Sequence, residues 1–157
     1  MQPPVETAIQ WLYDTMRYHL LARSKGGSVP PPRARGGDWV KVCWDIGHSL
    51  TMMQAHDIPI GQVIESVSSR LVQEFTGTGL RPADFQMMRL FYLTYFERPR
   101  LLPRLEELSW DCHTLILTQC RDPLQQEFYL DLCAVGKLGR KALAEAIKAA
   151  KYEVSSV

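Results

Sequence analysis

Residues 62–96 read QVIESVSSRLVQEFTGTGLRPADFQMMRLFYLTYF, and their spacing decides the fold class. In the first half Val63, Ile64, Val67, Leu71 and Phe75 recur at intervals of three and four. That rhythm lines one face of a helix from Gln62 to Phe75. Gly77-Thr78-Gly79 then permits a tight turn, because glycine enters positive-φ conformations without steric cost. Pro82 suits the first turn of a second helix, where its missing N–H is no loss. This helix, Arg81 to Phe96, is expected to bury Phe85, Met88, Leu90, Phe91, Leu93 and Tyr95.

The same rhythm extends in both directions. Ile9, Leu12, Tyr13, Met16 and Leu20 share a face in a predicted helix from Val5 to Ala22. Ser24 to Gly37 interrupts it with Gly26-Gly27, Pro30-Pro31-Pro32 and Gly36-Gly37, a composition that neither continues a helix nor pairs in a central strand. Asp38 is an expected N-cap, followed by the stripe Val40, Cys43, Trp44, Gly47, Leu50 and Thr51, and Pro59 ends that helix. Pro99 and Pro103 bracket an expected loop. Further helices are predicted over Glu106–Cys120, Leu124–Ala134 and Lys141–Tyr152, with Asp122-Pro123 between the first two. No long alternating run suggests a strand. The expectation is an all-α, compact multi-helix domain with helix-turn-helix or winged-helix-like units. Its segments are an N-terminal helix (1–23), a Pro/Gly-rich linker (24–37), a helical domain (38–152) and a tail (153–157).

A chain of 157 residues with 46% hydrophobic content can bury a full core. The net charge of +1 conceals an uneven distribution. Arg81, Arg89, Arg98, Arg100 and Arg104 mark one basic stretch, and Lys137, Arg140, Lys141, Lys148 and Lys151 another. Between them Glu106, Glu107, Asp111, Asp122, Glu127 and Asp131 face only Arg121. The pattern predicts a two-toned molecule whose basic and acidic elements face different partners. Cys43, Cys112, Cys120 and Cys133 form no Cys-x-x-Cys pair and lie in apolar helical patterns, so buried free thiols are expected. No targeting pattern opens the chain, and no apolar run approaches the ~18 residues that a membrane span requires. The expected location is the cytoplasm.

Two helix pairs are candidates for nucleic-acid recognition. In such a unit one helix braces on the DNA backbone while the start of the second enters the major groove. The first pair is Gln62–Phe75 with Arg81–Phe96, which offers Arg81, Asp84, Gln86 and Arg89. The second is Leu124–Ala134 with the terminal helix, which offers Lys137, Arg140, Lys141 and Lys148. There the positive end of the helix dipole adds to the attraction for phosphate.

Catalytic patterns are weak. His48 and His56 near Cys43 lack the spacing to put three ligands on one face, and Cys112-His113 is a single adjacent pair. Ser109, Asp111 and His113 form a triad only on paper, because alternate helical residues diverge. No Gly-rich phosphate loop occurs, and no Asp-x-Lys or Glu-x-Lys that a PD-(D/E)xK nuclease would need for its divalent ion. No metal, cofactor or enzymatic activity is expected.

An ordered series of signposts carries a family likeness: Trp44, Ile46 and Gly47; Leu71 and Phe75; Met88, Phe91 and Tyr92; Leu108-Ser109-Trp110; Phe128-Tyr129; Leu143 and Ile147. This order resembles the N-terminal domain of YhcG-like proteins, which precedes a PD-(D/E)xK nuclease domain. The resemblance implies a helical, winged-helix-like DNA-binding module that delivers a nuclease to its target. The chain departs from the family where Arg81-Pro82 replaces a serine-type helix start, and where Ser109-Trp110-Asp111-Cys112-His113 displaces a histidine by one place. At Leu138-Gly139-Arg140-Lys141 a tryptophan is lost and a base kept. A diverged, stand-alone member is therefore expected.

The functional expectation is a non-enzymatic DNA-binding or DNA-targeting module, accessory to a separately encoded PD-(D/E)xK nuclease or to a mobile-element or defence system. Its expected partners are duplex DNA, that nuclease and a second copy of the chain, with no membrane. The rival is a protein-interaction adaptor or homo-oligomerisation module that uses Glu106, Glu107, Asp111 and Asp131.

Overall fold

The computed structural model describes residues 3–22, 38–75 and 80–155, and these divide into two units, Met1–Pro32 with Val42–Thr94 and Arg33–Lys41 with Tyr95–Val157. The expected linker over 24–37 and the glycine turn at 77–79 lie outside the described residues. Among the described residues there are helices and no strands, so the fold is all-α and the winged-helix expectation finds no wing there.

The first unit contains α1 (Pro3–Ala22), most of α2 (Asp38–Ala55), α3 (Ile60–Glu74) and α4 (Pro82–Tyr95) up to its penultimate residue. Val5, Ile9, Leu12, Met16 and Leu20 of α1 are buried at the spacing read from the sequence, and α1 packs along α3. Burying each such side chain contributes roughly 1.5–3 kcal/mol before chain entropy is subtracted. At the edge of this pair the Arg17 guanidinium lies 2.5 Å from the Glu74 carboxylate, which also accepts from the Tyr13 hydroxyl. Arg70 covers the Tyr13 ring at 3.8 Å.

Helix α2 ends at Ala55, before Pro59, and the chain reverses at Asp57 with φ 61°. Pro59 serves instead as the N-cap of α3, which starts at Ile60, two residues ahead of the predicted Gln62. Helices α2 and α4 touch backbone to backbone at Gly47. A Cβ there would fall 2.1 Å from the Met88 carbonyl oxygen and 2.9 Å from Tyr92 Cβ. Trp44 stands edge-on to Phe91 and Tyr92 beside this crossing, and His48 stacks on Tyr92 at 4.8 Å. Leu90, expected in the core, is 41% exposed because α4 turns Phe85, Met88 and Phe91 inward.

The second unit holds a 3-10 turn (Pro99–Leu101), α5 (Leu102–Leu105), α6 (Trp110–Gln119), α7 (Pro123–Gly136), α8 (Arg140–Lys148) and α9 (Lys151–Ser155). The expected loop between the prolines is thus helical in short turns, since proline fits the first turn of a helix. Helix α6 begins at Trp110 rather than Glu106. Ser109 takes extended backbone angles and its Oγ accepts the Cys112 N–H, a side-chain cap that starts the helix there. Asp122 caps α7 likewise at the Leu124 N–H, with Pro123 in the first position. The single terminal helix predicted over Lys141–Tyr152 is broken at Ala150, φ 55°. The break lets the Tyr152 N–H donate to the Tyr129 hydroxyl at 3.2 Å and its ring meet Phe128.

Candidate nucleic-acid interface

Helices α6, α7 and α8 pack against one another, so α8 is held from two sides. Leu143 is its buried anchor. Within α6, His113 is fully buried and its Nε2–H donates to the Leu105 carbonyl at 2.6 Å. Burial disfavours the imidazolium more strongly than this bond favours it, and holds His113 down at about 4.

Three residues join α7 to α8. Lys137 ends α7 in the left-handed region at φ 50°, ψ 45°, and Gly139 opens α8 in extended geometry. The Leu138 N–H returns to the Cys133 carbonyl at 3.0 Å, a bond that closes the helix end as a Schellman motif does. Its own carbonyl accepts from the Cys112 thiol at 3.7 Å. The turn is therefore fastened to α7 through its N–H and to α6 through its C=O.

On this frame Lys137, Arg140, Lys141 and Lys148 are all exposed. Among the described residues none of the four enters an ion pair. The first turn of α8 carries no acid.

The residues of the other candidate pair, in the first unit, are placed differently. Asp84 accepts the Arg81 N–H at 2.7 Å, the reciprocal half of a capping box, and stands 4.0 Å from the Arg81 guanidinium. Arg89 is half-buried and donates to the Gln54 amide oxygen on α2. Arg81 and Gln86 remain exposed. Three of these four side chains, those of Arg81, Asp84 and Arg89, therefore have structural partners.

The two-toned reading of the charges changes as well. Within the second unit Arg98 and Arg100 both bind Glu127, at 3.0 and 2.8 Å. Arg104 binds Glu107 at 2.9 Å and Asp131 at 3.2 Å, and Lys41 stands 3.7 Å from Glu106. Burial pushes the Glu127 carboxyl up, but hydrogen bonds from Arg100 and Arg98 outweigh it and hold the group below the usual carboxylate range. Basic and acidic stretches that are separate in sequence are thus interleaved in space. Partners some thirty residues apart cannot be read from charge runs.

The remaining polar candidates serve local structure. Ser109 Oγ is turned onto Cys112 and His113 onto the Leu105 carbonyl. All four cysteines are buried and free, as the apolar patterning predicted. Among the described residues no three His, Cys, Asp or Glu side chains gather as a metal site requires, and no helix is long and apolar enough to cross a membrane. Sequence reading missed the place of Cys112 beneath the turn, because its contact with Leu138 spans 26 residues.

No curated protein and no solved structure matches the chain. Residues 36–154 match the family described as the DUF1016 N-terminal domain, a segment that begins after α1 and includes both candidate pairs. The chain belongs to this family, the N-terminal domain of YhcG-like proteins.

Proposed function

We propose that the chain is a duplex-DNA-binding module that uses α7, the turn and α8 as its helix-turn-helix, and that it targets a separately encoded PD-(D/E)xK nuclease in the cytoplasm. One observation carries this reading: Lys137 at the end of α7 and Arg140, Lys141 and Lys148 on α8, a helix braced by two others, are exposed and enter no ion pair among the described residues. Arg140 and Lys141 sit where the helix dipole reinforces attraction for phosphate. The candidates of the first unit lend this reading less support, since Arg81, Asp84 and Arg89 have structural partners. The adaptor reading loses support because Glu106, Glu107 and Asp131 are engaged within their own unit.

Fluorescence anisotropy with a labelled duplex tests the proposal. Four phosphate contacts predict that log K falls with log salt at a slope of about −3.6. Exchange of Arg140 and Lys141 for alanine together should weaken binding about tenfold and flatten the slope by nearly 2. Absence of affinity at low salt would overturn the reading. Self-association is a second reading, favoured by Trp11, Tyr18 and Leu21, which are exposed along one side of α1. Sedimentation across a concentration series decides it.

A further inference from the structure

Helices α8 and α9 are separate, yet the residues across their junction keep the pattern of a single helix. Leu143, Ala146, Ile147 and Ala150 recur at intervals of three and four, and each is buried or half-buried. Arg140, Lys141, Lys148 and Lys151 are all exposed. On one straight helix, at about 100° per residue, these four cations would fall within an arc of roughly 100°. The break takes Lys151 out of that row and makes it the first residue of α9.

The break runs against local preference. Ala150 is held at φ 55°, a left-handed conformation that crowds its Cβ against the following carbonyl oxygen. Alanine is also the residue that helix interiors favour most. The Ala150 N–H turns to the Ile147 carbonyl at 3.0 Å, where a continuous helix would direct it to Ala146.

Two contacts with α7 hold the bent shape. The Tyr152 N–H donates to the Tyr129 hydroxyl at 3.2 Å, and the Tyr152 ring meets Phe128 edge-on with centroids 5.6 Å apart. In a continuous helix the same N–H would donate to the Lys148 carbonyl, so straightening leaves no backbone donor unmet. A strained alanine on one side, and one aromatic pair with one hydrogen bond on the other, are effects of similar size. A modest differential interaction therefore selects between the two shapes.

We propose that α8 and α9 join into one helix over residues 140–155 when the chain binds duplex DNA, and that Lys151 thereby becomes a further phosphate contact. The duplex supplies the differential interaction. Only the straight shape sets Lys151 in the row of Arg140, Lys141 and Lys148, so that shape neutralises one more phosphate and binds more tightly. Ala150 moves from the left-handed to the right-handed region, the Tyr152 N–H exchanges the Tyr129 hydroxyl for the Lys148 carbonyl, and the Tyr152 ring leaves Phe128.

The role of the duplex rests on the reading of α8 given above, whereas the change of helix is measured independently of affinity. The backbone carbon shifts of Ala150 are followed by NMR in the full-length protein. They should report a left-handed residue in the free chain and move to helical values as a short duplex is added. Ala150→Gly removes the strain of the left-handed residue and so favours the break. It should lower duplex affinity about threefold. Lys151→Gln should cost the wild type about threefold as well, with a salt slope smaller by nearly 1, and cost the Ala150→Gly variant nothing further. Tyr129→Phe, checked for folding by circular dichroism, removes the acceptor of the Tyr152 N–H and should raise the helical population of Ala150 without DNA. A left-handed Ala150 in the duplex complex, or an Ala150→Gly variant that binds as tightly as wild type, overturns the proposal. If Tyr129→Phe straightens the helix while neither it nor the wild type binds duplex, the two shapes stand and the DNA reading fails.

Discussion

The two helices that sequence pattern marked for recognition, α4 and α8, are supported in opposite ways. Helix α4 is clamped: its backbone lies against α2 at Gly47, Asp84 is turned back to cap it, and Arg89 is bonded to Gln54. Helix α8 rests on Leu143 alone among its fully buried side chains, and its cations have no ion-pair partner among the described residues. Polar side chains at the start of a helix therefore do not by themselves define a recognition surface. What distinguishes the two is whether the protein already satisfies those groups.

The contrast breaks most severely at Gly47. A methyl group 2.1 Å from a backbone carbonyl has no flexible neighbour to displace, so α2 and α4 must separate. Gly47→Ala should cost about 3 kcal/mol, the upper end for overpacking, measured as a lower urea midpoint. Wild-type-like stability would mean that the crossing is not tight. The equivalent change at Gly139, where a Cβ meets nothing within 4 Å, should be far milder.

The bond between α6 and the Leu105 carbonyl is probed by pH. His113 is held at about 4 in the folded chain, against about 6.5 when unfolded. Between these values the unfolded state binds the extra proton, so stability is full above pH 6.5 and declines as pH falls towards 4. Lowering pH from 6.5 to 5 should cost about 2 kcal/mol through this residue. His113→Gln should flatten that part of the profile, read by denaturation at each pH. An unchanged slope in the variant would place the titration elsewhere.

Where sequence succeeded and failed follows from the range of the forces concerned. Helices α1 and α3 were legible because their buried residues recur within one element. The start of α6 was hidden because Leu105 and Leu108 continue an apolar rhythm that the Ser109 cap interrupts. The break at Ala150 was invisible, since alanine favours helix and the cause is Tyr152 reaching Tyr129 on another helix. At the candidate site the exposed bases of α8 could be named from pattern. The Asp84 capping box was also local enough to read, whereas the bond between Arg89 and Gln54 spans 35 residues and was not.

The smallest effects separate the two helices most directly. Arg89→Gln removes a half-buried bond to Gln54 and should cost about 1 kcal/mol of stability, while duplex affinity changes by less than twofold. Lys141→Gln disturbs no ion pair among the described residues and should leave stability within about 0.5 kcal/mol. Its affinity should nonetheless fall about threefold, with the salt slope smaller by nearly 1. Paired melting and anisotropy measurements on the two variants read both quantities. Equal losses of affinity would put α4 and α8 on one binding surface. The reverse pattern, with Arg89 governing affinity and Lys141 stability, would return recognition to α4 and make the cations of α8 a solvated face.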